Sequence, residues 1–293
     1  MKESLSLKGY RGNTKWRSFT VAAWLGWQVE SNWADPFLFS IYSVARPLAA
    51  VLILVVMYSV ITNGVLDTPL FAYIYLGNAL YMLVGAVITG VSWAIIDDRE
   101  RYGMLKHLHL TPMDGYWYLV GRGMTKLLVA TVSVLITLIF GVLVFHLPLD
   151  WATVNWGLFL SSTALALVCM TGIGLCLGAL TLQTARHFWS MGEAVAGSLY
   201  LFTGAIFPLD VLPSFLIPIG YLFPITYWLE AARRALLGSH FVGFPTLAWL
   251  SDGALLLILA GFALGLSVAS WLYYRWSLHQ AKEKGLIDMQ TSY

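Results

Sequence analysis

The stretch GAIFPLDVLPSFLIPIGYLFPITYWLEAARRALLG, residues 204–238, is apolar over most of its length yet broken by Pro208, Pro213, Pro218 and Pro224. A proline inside a helix removes a backbone hydrogen bond and crowds the preceding turn, so prolines at this density exclude one straight helix. Non-helical backbone at membrane depth persists only where protein or a water-filled cavity satisfies its polar groups. The stretch therefore reads as a re-entrant hairpin of short helices dipping in from the outer side. That reading fixes the parity of the chain, because a full crossing here would move the tail to the outside.

Working outward, the chain is 59% hydrophobic and 11% charged, against roughly 25% charged in soluble domains, which argues against a water-soluble fold. A crossing takes about 20 apolar residues, so six fit with short loops and leave no room for a large soluble domain. Apolar runs at 37–61, 71–96, 124–147, 156–182, 191–207 and 247–274 are each predicted to span. Pro36, Pro69, Pro148 and Pro245 sit at or beside their ends, where a missing N–H does least harm. The fold class is all-α integral membrane, one transmembrane domain over 1–293 with six helices. Segments 1–36, 97–122 and 275–293 are predicted cytoplasmic, and 208–246 forms the outer re-entrant segment.

Lysine and arginine stay on the cytoplasmic side of short loops. The N-terminal set (Lys2, Lys8, Arg11, Lys15, Arg17), the loop set (Arg99, Arg101, Lys106, Arg122, Lys126, Arg186) and the tail set (Arg275, Lys282, Lys284) fall inside on this scheme. The outer loops near Asp67 and Asp150 carry none, Arg233 and Arg234 are outer exceptions, and Arg46 lies within the first span. Both termini are predicted cytoplasmic, in the cell membrane. The start lacks the uninterrupted apolar run and cleavage site of a signal peptide, so retention is expected. A net charge of +2 offers no footprint for nucleic acid. Cys169 and Cys176, about 10 Å apart along a helix, are too distant for an intrahelical disulfide. Trp16, Thr20, Trp24 and Trp27 recur at helical spacing before the first span and predict a helix lying in the interface, with the indoles as anchors.

The second span ends in AIIDDRERYGMLKHLHLTPMDGYWYLVGR, residues 94–122, where apolar sequence gives way to Asp97, Asp98, Arg99, Glu100 and Arg101. The apolar set that follows, Tyr102, Met104, Leu105, Leu108 and Leu110, predicts a short amphipathic helix that docks on a partner. This segment resembles the coupling element of type-2 ABC exporter permeases, on Glu100, Arg101, Gly103, Leu105, Thr111, Pro112, Gly121 and Arg122. The proline-broken stretch is similar to that family's outer segment, on Gly204, Phe207, Pro208, Pro213, Pro224, Thr226, Tyr227, Glu230, Arg233 and Gly238.

The resemblance implies a membrane subunit whose coupling residues, Asp98, Glu100, Arg101, Gly103, Leu105, Thr111 and Pro112, sit in a cleft of a nucleotide-binding subunit. It implies an outer gate of Phe207, Pro208, Pro213, Pro224, Glu230 and Arg233. Two ATPase subunits and a second permease, identical or a sister chain, are the implied partners beside the bilayer. Physically, Glu100 and Arg101 suit charge pairing across such an interface while the leucines fill its groove. No G-x-x-x-x-G-K-[ST] loop occurs, so ATP and magnesium are expected on another polypeptide and no cofactor in this chain.

Other functions fit less well. A rhomboid-like serine protease is disfavoured because Gly90-Val91-Ser92 and Gly265-Leu266-Ser267 lack a following glycine and the last span has no histidine. His107 and His109, two apart, face different sides of a helix and no carboxylate cluster completes a metal site. A secondary transporter or channel is the alternative and would need ionisable groups within the spans. Arg46, free to snorkel or pair, and Glu193, at the start of the fifth span where a carboxylate favours a helix N-terminus, have structural explanations. Tyr73, Asn78 and Tyr81 on the second span, with Tyr200 and Phe202 on the fifth, are the candidate pathway residues. Packed or lipid-facing aromatics are the competing reading of that set. The substrate stays open among drugs, lipids, ions and polysaccharide precursors. Small-residue faces at Gly174 and Gly178, and at Gly261 and Gly265, permit close helix contact within one chain or between two.

Overall fold

The computed structural model describes residues 14–31, 35–65, 68–183, 191–241 and 245–286, and all regular structure among them is helical. Expectations for Lys2, Lys8, Arg11, Asp67, Arg186 and the chain beyond 286 lie outside the described residues.

Helix α1 covers Thr14–Ser31, α2 Pro36–Ile61 and α3 Pro69–Ile96. Both α2 and α3 open on proline, whose absent N–H is one that a helix start leaves unbonded anyway. The side chains of Asp35 and Thr68 accept from the N–H of Phe37 (3.0 Å) and Phe71 (3.1 Å) and cap these starts. A single π-turn, Asp97–Arg101, prolongs α3 before the six-residue α4, Leu105–Leu110. Helix α5, Gly115–Phe145, starts well ahead of the predicted 124, because the Asp114 carboxylate accepts from the N–H of Tyr116 and Trp117 and closes the first turn there. Next come α6 (Trp156–Gln183), α7 (Met191–Phe202), α8 (Ile217–Tyr221), α9 (Pro224–Leu237), α10 (Pro245–Ala248) and α11 (Asp252–Glu283), the last capped by Ser251.

Among the described residues, five helices are long and apolar enough to cross a membrane: Ile41–Ile61, Pro69–Arg101, Gly115–Phe145, Trp156–Gln183 and Asp252–Glu283. The fifth predicted run behaves differently. Its helix α7 has 12 residues, about 18 Å against the ~30 Å of a bilayer core. It stops at Phe202 rather than 207 because Gly204 takes φ +74 and the Arg233 guanidinium binds the carbonyls of Gly204 and Ala205, diverting the backbone.

Helix α3 is the hub, buried along most of its length against α2, α5, α6, α7 and α9, while α11 packs chiefly on α6. Helix α2, by contrast, presents Ile53, Val56 and Val60 outward. The two small-residue faces part ways. Gly174 and Gly178 lie against Val91, Ile88 and Ile95 of α3, whereas among the described residues nothing outside the helix's own backbone stands within 4 Å of a Cβ added at Gly261 or Gly265. Helix α1 lays Ser18, Ala22 and Gly26 on α5, where Gly121 lets the Phe19 carbonyl approach so closely that a Cβ would lie 2.4 Å from it. Trp16, Trp24 and Trp27 face away from that contact.

The contacts sort the helix ends. At one end, Arg99 donates to the Thr181 carbonyl (3.0 Å), Ser277 to the Ala179 carbonyl, and the Asp114 N–H to Ser18 (2.9 Å). This end gathers the close of α3, α6 and α11, the start of α5, and α1. At the other end, Arg233 donates to the Tyr73 carbonyl (3.1 Å), Arg234 to Asp252 (3.2 Å), and the Asn155 N–H to the Ala235 carbonyl (2.9 Å). Between Gln183 and Asp252 the chain therefore passes from the first end to the second.

Candidate functional site

The charged turn after α3 is built around a buried carboxylate. The wider π-turn brings the Tyr102 N–H onto the Asp97 carbonyl at 2.9 Å and swings Asp98 inward. Asp98 is 1% exposed; it accepts from the Tyr118 hydroxyl (2.8 Å) and from Arg122 (3.3 Å), both on α5. Arg99, also buried, pairs with Glu100 at 3.0 Å in addition to holding Thr181 of α6. The root of the predicted coupling segment is thus pinned to two other helices by charge-assisted bonds, the stronger class of hydrogen bond.

Gly103, at φ +57, reverses the chain into α4. Leu105 is buried in an apolar cluster with Ala22, Ile95, Leu119, Leu182 and Tyr274, and Leu108 packs partly against it. The tip points away. Leu110 is 84% exposed, Arg101, Thr111 and Pro112 are exposed, and the Arg101 guanidinium lies 5.6 Å from the Tyr102 ring centroid. So the predicted coupling residues divide. Asp98 and Leu105 anchor, Gly103 turns the chain, Glu100 is engaged by its neighbour Arg99, and Arg101, Thr111 and Pro112 present a surface, joined by Leu110 of the predicted amphipathic set.

At the opposite end, α9 carries two neighbouring arginines facing different ways. Arg233, 1% exposed, stacks 3.5 Å from the Tyr73 ring centroid and donates to the carbonyls of Tyr73, Gly204 (2.7 Å) and Ala205 (3.4 Å). A Cβ on Gly77 would fall 2.0 Å from that guanidinium and 2.2 Å from the Ala205 carbonyl, so glycine is needed for the turn to lie on α3. Arg234 pairs with Glu230 (3.0 Å) and donates to the carbonyls of Leu247 (2.9 Å) and Leu250 (2.7 Å). Burial pushes the Glu230 carboxyl above the usual carboxylate range, against the pull of Arg234 and Arg233. Of the other predicted gate residues, Pro208 and Pro224 are buried, Phe207 is half-buried and Pro213 is exposed.

The predicted pathway residues meet where α3 contacts α7. Tyr200 donates to Asn78, Tyr81 donates to the Ala196 carbonyl, and the Tyr81 and Tyr200 rings lie 4.8 Å apart. Tyr73, Asn78 and Tyr81 are buried and Phe202 is half-buried. Asn78 Nδ2 has no partner among the described residues.

Sequence reading passed over Tyr118, Arg99 and Thr181. Only the charge of Arg99 was visible; a tyrosine and a threonine backbone carbonyl on separate helices give no signal until the helices are packed.

No curated protein matches the chain. The apolar helices and the helix-rooted charged turn agree with one family assignment: residues 19–237 match the ABC-2 type transporter family, and the chain belongs to that family as a multi-pass membrane permease of an ABC transporter.

Proposed function

We propose that this permease is an exporter subunit of the cell membrane that works with a second permease, identical or a sister chain, and is driven by two separate ATPase subunits, one of them docked on α4. ATP and magnesium reside on those subunits. The observation that carries the reading is the contrast within six residues of α4, where Leu105 is held in an apolar nest and Leu110 is 84% exposed. A tip that is apolar, exposed and rigidly rooted is what an interface anchor requires.

Leu110→Glu is expected to leave the melting temperature unchanged, since its side chain is exposed, and to weaken capture of the ATPase subunit about thirtyfold, as for a buried interface anchor of about 2 kcal/mol. The check is copurification from the native membrane in mild detergent, read by mass spectrometry; undiminished capture would sink the docking assignment. Leu110 is a cleaner probe than Glu100, whose reversal would set a second cation beside the buried Arg99.

In this reading six crossings are made, the fifth contains α7, and residues 208–246 form the re-entrant segment on the outer side. Support comes from the sorting of helix ends: α6 closes beside Arg99 and α11 opens beside Arg234, so one net crossing lies between them. The basic residues Lys126, Arg275 and Lys282 then lie toward the end that carries α4, the distribution expected of a cytoplasmic face. Cysteine placed at Lys282 is expected to react with a membrane-impermeant maleimide only after the cells are permeabilised. Reaction in intact cells would reverse the orientation. The interfacial placement of α1 fits the same scheme, its tryptophans outward and its small residues on α5.

A further inference from the structure

A cavity of about 540 Å³ opens between the end of α1, the start of α2, the middle of α3, α5 and the start of α7. It holds charges of both signs. Lys126 and Glu30 form an ion pair across it. Arg46 and Glu193 line it too, and neither joins an ion pair or side-chain hydrogen bond among the described residues. Of the two explanations for Arg46, snorkelling and pairing, the second finds no acidic partner among the described residues.

Depth makes this arrangement informative. Helix α5 has 31 residues, about 46 Å, which overshoots a ~30 Å bilayer core by about 16 Å. Lys126 stands about 16 Å along α5 from Gly115. Arg46 stands about 8 Å into the α2 span from Ile41. Both fall near the boundary of the hydrocarbon core on the α4 side, where lipid heads meet acyl chains. Ionised groups at such depth are costly unless paired or coordinated.

The charge pattern selects the ligand. A simple anion gains Arg46 but meets Glu193, and a simple cation meets the reverse. A head carrying a phosphodiester and an ammonium satisfies both, with the planar guanidinium suited to the phosphate oxygens. Trp93 and Tyr42 are aromatic members of the lining, the residue class that attracts an ammonium. Apolar Ala50, Met82 and Val129 complete the lining, and Ile53 and Val56 of α2 face outward nearby for tails. We propose that this cavity binds a zwitterionic phosphate–ammonium head, the phosphate on Arg46 and the ammonium on Glu193. The proposal stands on the cavity and its charges and is independent of how α4 engages the ATPase.

The test is native mass spectrometry of the purified full-length chain in detergent with phosphatidylethanolamine or phosphatidylglycerol of identical acyl chains. The expected result is a preference of about tenfold for the ethanolamine lipid, the size of one charge-assisted hydrogen bond. Glu193→Gln is expected to abolish that preference while retaining phosphatidylglycerol, which doubles as its folding control. Arg46→Gln is expected to weaken both lipids about tenfold, with Arg46→Lys recovering part of the loss. Millimolar O-phosphoethanolamine separates the sources. If it displaces the lipid, a free soluble head is recognised; if not, the occupant is a membrane lipid held by head and tails together. Equal binding of both lipids by the unmodified chain, binding of neither, or an unchanged preference in Glu193→Gln overturns the proposal. Capture of the ATPase is expected to be unchanged in both variants, so this failure and failure of the docking reading are distinguishable.

Discussion

Asp98→Leu is expected to lower the stability of the detergent-purified chain by about 3 to 5 kcal/mol, because it leaves Arg122 as an uncompensated charge in a buried site. Arg122 is 6% exposed and its Nε has no acceptor among the described residues, so the carboxylate is its main compensation. Removing both charges is a different experiment, since apolar replacement of a buried ion pair is often neutral. Asp98→Leu combined with Arg122→Leu is therefore expected to recover most of the loss. Tyr118→Phe removes one hydrogen bond to the same carboxylate and is expected to cost about 1 kcal/mol. Thermal melting followed by tryptophan fluorescence checks all three. A double variant as unstable as the single would mean that the pair is not what joins the π-turn to α5.

Arg233→Met is expected to be the other large effect, and its physics differs. The native guanidinium serves backbone carbonyls and a ring face in place of a direct carboxylate pair. Methionine fills similar space but leaves the carbonyls of Tyr73, Gly204 and Ala205 without that donor, at about 1 to 3 kcal/mol for each buried group left unsatisfied. We expect a total near 3 kcal/mol, with added proteolytic sensitivity between Gly204 and Phe223. Arg233→Lys is expected to lose about half as much, because an ammonium lacks the planar fork that reaches several acceptors. A methionine variant that melts with the unmodified chain and keeps this loop protected would mean that the clasp does not hold residues 204–223 on α3.

Much of the architecture was legible because long apolar runs and proline positions are local properties. The predicted 37–61 and 156–182 became Pro36–Ile61 and Trp156–Gln183. Where reading failed, a side chain intervened. The start of α5 was misjudged because Asp114 caps it, and α7 closes early because Arg233, far along the chain, takes its following carbonyls. At the site, the sequence singled out Asp98, Glu100 and Leu105 but did not divide them into anchors and contact surface. That division depends on which face α5 and α6 turn toward α3. The charges around the cavity were equally opaque, since Glu30, Arg46, Lys126 and Glu193 come from four helices and meet only through packing.

The π-turn makes α3 one continuous rod of 33 residues, Pro69–Arg101, joining the charged turn to the helix start on which Arg233 is clasped. Such a rod is about 50 Å long. Pivoted at its root, it converts a tilt of about 5° into a sweep of about 4 Å at its far tip. Leverage of that kind needs no bending of the rod, but α3 is packed along its length, so the helices around it must shift with it. The clasp rides on the tip of the lever, so a tilt at the root reaches Tyr73 as an amplified lateral displacement.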